Sequence, residues 1–287
     1  MEQPTYVYEA LRRASSFLKE SGREEKAAEW LLRDVLGTEG PAFHMAMREK
    51  IEAADWETFK QAVKRHANGE PIQYISGEAS FYGRTFAVDS NVLIPRPETE
   101  ELVWKTLDTC CPKGEPAEPL RLLDIGTGSG VIALTLALEW PDLEVWAVDI
   151  SEGALKVAKT NASFHKAKVQ FVQGDLTEPF LQAGQTFDVI VSNPPYISQP
   201  DYENLDPLVR EQEPKLALEA GIDGLEVYQK LGKELPKVLA PNGFVGLEIG
   251  DEQSEDVAAI MKKAFPNAKI TVEKDINKKN RMVFVQT

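Results

Sequence analysis

The feature that most constrains the fold is a glycine run between an apolar strand and an apolar helix: Leu122-Leu123-Asp124-Ile125-Gly126-Thr127-Gly128-Ser129-Gly130, followed by the helical stretch 131–139. Glycines at such a junction let the backbone turn tightly and approach a ligand that also meets the amino end of the helix. Alone, the pattern equally describes a plain strand-to-helix turn. Its surroundings narrow the choice. Strands are predicted near 120–125, 143–149, 168–172 and 187–192, separated by helical segments such as 131–139 and 152–163. A helix at 225–239, a strand at 243–249, a further helix and two β-rich runs at 269–273 and 281–286 complete the chain. Strand and helix in series imply an α/β fold, a mostly parallel sheet with helices on both faces.

The region before this alternation has a different texture. Apolar residues recur at spacings of three and four (Val7, Leu11, Ala14, Leu18; then Ala28, Leu31, Leu32, Val35), with Gly22 and Gly37 as helix ends. A third helix carries Trp56, Phe59, Val63 and His66 and stops at Asn68-Gly69, so a small helical bundle is expected. From Pro71 onward glycine, aromatic and β-branched residues predict a β-hairpin, 80–82 and 85–88, around a Gly83-Arg84 turn. The segment 93–100 (LIPRPETE) leads into a helix, and 112–119 (PKGEPAEP) reads as a loop. The expected division is a helical domain at 1–75, a hairpin connector at 76–97 and the α/β domain at 98–287.

Charge and composition exclude several function classes. The 287-residue chain carries a net charge of −14, which argues against broad binding to nucleic acid or anionic membrane. The two cysteines, Cys110 and Cys111, are adjacent and poorly placed for a disulfide. The start, Met1-Glu2-Gln3-Pro4, lacks a leader pattern, and the longest apolar stretch, 131–138, is far short of a membrane span. A soluble, cytoplasmic protein is expected. His44, His66 and His165 are widely spaced, so no metal site is expected.

Three further motifs stand at strand ends. Asp149 closes the second strand, where a carboxylate can accept hydrogen bonds from ribose hydroxyls. With the glycine run this fits either a dinucleotide or S-adenosylmethionine. Gly174-Asp175-Leu176 follows the third strand, where Asp175 and Leu176 could meet an adenine edge and face, although Asp175 reads equally well as a loop cap. The fourth strand ends in Asn193-Pro194-Pro195-Tyr196, the most specific motif of the chain. Two prolines remove two backbone donors and stiffen the loop, holding nearby carbonyls and the Asn193 side chain at a fixed angle.

The glycine loop, the acid closing the second strand and N-P-P-Y closing the fourth resemble class I S-adenosylmethionine-dependent methyltransferases that modify a planar amide or amino nitrogen. With LIPRPETE, the helical N-terminal region, Phe81-Tyr82-Gly83 and Leu247-Glu248-Ile249-Gly250, nearly the whole chain resembles the bacterial release-factor glutamine methyltransferases, the PrmC/HemK family. The resemblance implies a Rossmann-like, seven-stranded methyltransferase domain that uses S-adenosylmethionine and releases S-adenosylhomocysteine, without a metal. It implies that Gly126, Thr127, Gly128, Ser129 and Gly130 cradle the methionine part, Asp149 holds the ribose, Asp175 and Leu176 border the adenine, and Asn193 adjoins the cofactor. Asn193, Pro194, Pro195 and Tyr196 would receive the glutamine, with Asn193, Pro194 and Tyr196 catalytic. Arg96, Pro97 and Glu98 would lie near the cofactor or substrate channel.

The implied substrate is the glutamine of the Gly-Gly-Gln loop of class 1 peptide chain release factors, docked on the helical domain and hairpin by a monomeric enzyme. Three other readings compete. An adenine-amino methyltransferase shares N-P-P-Y, but the acidity, the Asn at the head of the motif and the lack of a basic module weigh against it. A non-catalytic cofactor-binding protein would be expected to carry damaged motifs. An NAD-dependent oxidoreductase leaves N-P-P-Y without a role.

Overall fold

Residues 4–111 and 119–287 are described by the structure, a computed structural model. The chain divides into two compact units, Met1–Glu78 and Ala79–Thr287. The loop predicted at 112–119 lies, except for Pro119, outside the described residues.

The first unit is helical: α1 (Val7–Glu20), α2 (Ala27–Leu36), α3 (Gly40–Ala46), α4 (Ala53–Ala67) and α5 (Ile72–Ser76). The three- and four-residue spacing works as expected, turning Leu18, Leu31, Leu32, Trp56, Phe59 and Val63 into one shared core. Two helices depart from the sequence reading. α3 and α5, at seven and five residues, are too short to show a period, and α5 occupies the stretch after Pro71 that was expected to be turning into β structure.

A two-stranded hairpin, β1 (Glu78–Phe81) and β2 (Arg84–Ala87), follows. Its turn residues are Tyr82 and Gly83, with φ of 50° and 71°, one position earlier than the predicted Gly83-Arg84. Two consecutive left-handed residues match the twist of a tight hairpin, and the Tyr82 N–H is held by Glu100 Oε1 at 2.9 Å. Next come α6 (Pro97–Cys110), β3 (Arg121–Ile125), α7 (Val131–Glu139), β4 (Glu144–Asp149), α8 (Glu152–His165), β5 (Val169–Gln173), α9 (Glu178–Ala183) and β6 (Phe187–Ser192). An excursion with α10 (Gln199–Glu203), α11 (Pro207–Arg210) and a 3-10 turn (Lys215–Ala217) precedes α12 (Glu226–Val238), β7 (Leu239–Glu248), α13 (Ser254–Ala264), β8 (Lys269–Lys274) and β9 (Asn280–Gln286).

The seven strands from β3 to β9 form one sheet in the order β5-β4-β3-β6-β7-β9-β8, parallel except for β9, which runs antiparallel to both neighbours. This is the mostly parallel α/β fold that the alternation predicts. Successive residues of each strand serve opposite cores. Leu123, Ile125, Ile190, Val245 and Leu247 face one layer with Tyr228 and Leu231 of α12 and Met261 of α13. Leu122, Val189, Val191 and Phe284 face the other with Leu102 and Val103 of α6 and most of α7. Both faces are covered, which is why these strands read as apolar runs rather than as alternation.

Gly130 joins the loop to α7. Its φ is +86°, and a Cβ there would sit 3.0 Å from Leu134 Cδ1 and 3.2 Å from Ala158 Cβ. The conformation is strained for any side chain and the space is tight, so Gly130→Ala is expected to cost about 1–3 kcal/mol of stability. Urea denaturation checks this, and an unchanged midpoint would contradict it.

Candidate active site

The register of the sheet gathers the motifs into one row. Ile125 pairs with Val148 on one side and Ser192 on the other, so Gly126, Asp149 and Asn193 leave three adjacent strands at the same level. Asp149 pairs with Gln173, which brings Gly174 and Asp175 into the row. Ser192 also pairs with Leu247, so Asn193 and Glu248 stand abreast. The strand order reverses between β3 and β6, and a crevice opens at the carboxyl ends of strands where this happens.

A cavity of about 430 Å³ occupies that crevice. Of the residues singled out from sequence, Gly126, Thr127, Gly128, Ser129, Asp149, Asp175, Leu176, Asn193 and Pro195 line it. Gly130 sits behind them as the cap of α7, and Pro194 and Tyr196 are not part of the lining. Arg96 lines the cavity, Pro97 begins α6, and Glu98 borders a separate groove with Tyr82 and Trp104.

The glycine loop is held from below and beside. Asp124, fully buried, accepts from Thr127 Oγ1 at 2.6 Å and from the Ala133 N–H at 3.2 Å, while its Oδ1 has no partner. Burial pushes its carboxyl up to about 7, against the pull of those two donors. Asp149 Oδ2 accepts from the Gly128 N–H at 2.8 Å and Oδ1 from the Ser151 N–H at 2.9 Å. Its carboxyl is raised by burial, opposed by backbone N–H groups of Ser151, Gly128 and Ile150. Each carboxylate oxygen keeps acceptor capacity toward the cavity. Gly126 and Gly128 have left-handed backbones with nothing within 4 Å of where a Cβ would stand, so the loop presents bare backbone. Leu176 adopts φ of 50°, a costly conformation for a leucine, at the cavity wall. Asp175 is paired with Lys230 of α12, which also lines the cavity.

The N-P-P-Y end is equally braced. Asn193 Nδ2 donates to Thr99 Oγ1 at 3.0 Å, and Thr99 Oγ1 donates to Glu248 Oε2 at 2.7 Å. Gln253 Nε2 donates to the Tyr196 carbonyl at 2.8 Å and to the Gly224 carbonyl at 3.1 Å. Ile197 pairs with Glu219 in an isolated parallel bridge, closing the 198–219 excursion at its base. The Tyr196 ring packs against the apolar layer under α12, and burial, with the Glu248 charge next, pushes its phenol up to about 12, so it stays neutral. Glu213, buried in the excursion, accepts from the Ile94 N–H at 3.2 Å and pairs with the Arg96 guanidinium, tying LIPRPETE to the excursion.

Thr99, Lys230, Glu213, Glu248 and Arg281 were not assigned roles from sequence. Arg281 opens the β-rich run expected at 281–286 and ends a cluster of charged and polar residues, 278–281, with the composition of a solvated turn. It is instead mostly buried, with Nε 3.3 Å from Asp275 and Nη1 3.2 Å from the Ile249 carbonyl, and its charge acts on Tyr196 and Glu248. Among the described residues no group of three His, Cys, Asp or Glu side chains converges to hold a metal ion, and no helix is long and apolar enough to cross a membrane.

The family model of the PrmC N-terminal domain matches residues 9–77, and that of the methyltransferase small domain matches residues 107–217. The release factor glutamine methyltransferase of Bacillus anthracis is 49% identical over 280 residues, 98% of this chain and 99% of its own length. Those of Bacillus subtilis (strain 168) and Staphylococcus aureus (strain NCTC 8325 / PS 47) are 47% and 41% identical, covering 96% of this chain in each case and 96% and 97% of their own. Among solved structures, a methyltransferase from Pyrococcus furiosus aligns with a TM-score of 0.52 at 20% identity, over 79% of this chain and 97% of that one, a likeness of fold.

Proposed function

We propose that this chain, which belongs to the release factor glutamine methyltransferases, transfers a methyl group from S-adenosylmethionine to the side-chain amide nitrogen of the glutamine in the Gly-Gly-Gln loop of a class 1 peptide chain release factor. The observation that carries the reading is the meeting of Asn193 with the bare glycine loop and Asp149 in the lining of one cavity. The enzyme acts as a cytoplasmic monomer, and the helical unit docks the protein substrate.

The lining suits the cofactor. Gly126, Thr127, Gly128 and Ser129, with Gly130 behind them, offer backbone to its methionine part, the spare acceptors of Asp149 suit a ribose diol, and Asp175 and Leu176 offer an acceptor and an apolar surface to a purine. Bound there, S-adenosylmethionine supplies a methyl group made electrophilic by its sulfonium.

The protein's task is the nitrogen. An amide lone pair is delocalised into its carbonyl and is a weak nucleophile, and an asparagine does not ionise to act as a base. Asn193 works by geometry and electrostatics. Its Nδ2 is engaged by Thr99, leaving Oδ1 to accept one N–H of the substrate amide while the Pro194 carbonyl accepts the other. Two acceptors on one NH2 fix its direction and stabilise the positive charge that develops on nitrogen. Pro195 stiffens the loop, and the neutral Tyr196, outside the cavity lining, anchors the loop in the apolar layer under α12.

Incubation with methyl-labelled cofactor tests the substrate class. Label is expected in a purified release factor and absent from duplex DNA and RNA. Label in nucleic acid with none in the factor would overturn the reading.

A further inference from the structure

We infer that Glu248 is a positioning residue which, through Thr99, sets the end of the Asn193 carboxamide that faces the substrate; the inference rests on the function proposed above. The three side chains come from elements far apart in sequence, the first turn of α6, the end of β7 and the loop after β6. Pairing of Ser192 with Leu247 sets Asn193 beside Glu248, and Thr99 inserts between them.

The direction of the relay follows from donor counting. A carboxylate only accepts, so the single Thr99 proton goes to Glu248. The Thr99 oxygen is then limited to accepting, and Asn193 must turn its NH2 toward it. Asn193 also donates toward Glu248 itself, which helps favour the carboxylate. The Oδ1 atom is left for the cavity. A flipped Asn193 would present NH2 to the substrate NH2, donor against donor, and the nitrogen would lose its orientation. Thr99 and the Glu248 carboxylate together distinguish the two ends of the carboxamide, which are nearly identical in shape.

Glu248 and Thr99 are 2% and 3% exposed. Burying an ionisable carboxyl costs free energy that stability alone does not require. Burial pushes the Glu248 carboxyl up to about 7, against the opposing pull of Thr99, the Arg281 charge on β9 and the Asn193 amide; the Glu98 charge on α6 raises it further. The phenols of Tyr196 and Tyr228 also feel the Glu248 charge, and the Tyr228 hydroxyl donates to the Glu248 backbone carbonyl at 2.7 Å. A protonated Glu248 can donate to Thr99, which frees the Thr99 proton for Asn193 Oδ1 and reverses the relay. The ionised form is the productive one, so kcat falls as pH drops through about 7.

Thr99→Val keeps the shape and removes the hydroxyl. It is expected to lower kcat by about 10- to 100-fold, with the Kd for S-adenosylmethionine and the KM for the release factor within about twofold of the wild type, and Thr99→Ser to recover kcat to within about threefold. Glu248→Gln is expected to abolish the acid limb of kcat near pH 7. Thr99→Val with wild-type kcat, Thr99→Ser as impaired as Thr99→Val, or a persisting acid limb in Glu248→Gln would overturn the relay.

A readout independent of turnover is the NMR signal of the Asn193 side-chain NH2, assigned by its loss in Asn193→Ala. It is expected to titrate near pH 7 in the wild type and not in Glu248→Gln, and equal titration in both would overturn the relay. This also decides if Thr99→Val fails to fold. A wild type that gives the expected titration yet transfers no methyl to the release factor would refute the proposed function and leave the relay standing.

Discussion

Replacing Asn193 by alanine should lower kcat for methyl transfer by about 10²–10³-fold while S-adenosylmethionine binding stays within about threefold of the wild type. The substitution removes the one side-chain acceptor that the N-P-P-Y loop turns to the cavity, and no ionisable group of the motif can replace it. The glycine loop and Asp149 are braced by Asp124, Ser151 and each other rather than by Asn193, so the cofactor end of the cavity should survive. Steady-state kinetics on a purified release factor, with calorimetry for the cofactor, separates the two effects. Normal turnover in Asn193→Ala would remove the motif from the chemistry. A parallel collapse of kcat and cofactor affinity would mean that Asn193 organises the cavity as a whole.

Asp149→Ala should do the reverse, weakening S-adenosylmethionine by about 1.5–3 kcal/mol, roughly 10- to 150-fold in Kd, through loss of charge-assisted hydrogen bonds. The structure adds a second contribution of the same sign. Both Asp149 oxygens already hold backbone N–H groups, of Gly128 and Ser151, so the loop that meets the cofactor loosens when the carboxylate is lost. For this reason Asp149→Asn should be no rescue: its NH2 end would face one of those N–H donors, leaving a buried donor unpaired. Calorimetric titration with S-adenosylmethionine and S-adenosylhomocysteine measures both variants. Unchanged affinity in Asp149→Ala would contradict the cofactor site.

The row of motifs was legible because each is local, a short signature where an apolar run stops. Gly126–Gly130 could be read as a loop, Asp149 as a strand end and Asn193-Pro194 as a stiffened turn without knowing any long-range pairing. Parallel strands in register then carry such ends to one level, so strand order alone turns four local signals into one cavity. The bracing residues carry no such mark. Thr99 and Glu248 are 149 residues apart, and only the packing of α6 on β7 makes them neighbours. Lys230 looks like any helical lysine until α12 sets it against Asp175. Arg281 stands in a run of charged and polar residues that reads as solvated, yet β9 turns it under the Ile249 carbonyl.

Local structure was missed where the element was too short or the residue atypical. Four- to seven-residue helices such as α3, α5 and α11 complete too few turns to establish a period. The hairpin turn uses a tyrosine in the left-handed region, where glycine or asparagine is the expected choice, and the Tyr82 N–H is held there by Glu100. The acidity of the chain has a narrower meaning than composition allowed. It disfavours a phosphate-rich substrate, while the cavity holds both acids and bases, with Asp149, Asp175, Arg96 and Lys230 all in its lining.

Tandem mass spectrometry of a release factor incubated with this enzyme and S-adenosylmethionine tests the central claim most directly. The account predicts a gain of one methyl group, confined to the side-chain amide nitrogen of the Gly-Gly-Gln glutamine and absent when Asn193→Ala replaces the wild type. A factor left unmethylated by an enzyme that binds the cofactor, or a methyl group on any other residue, would contradict it.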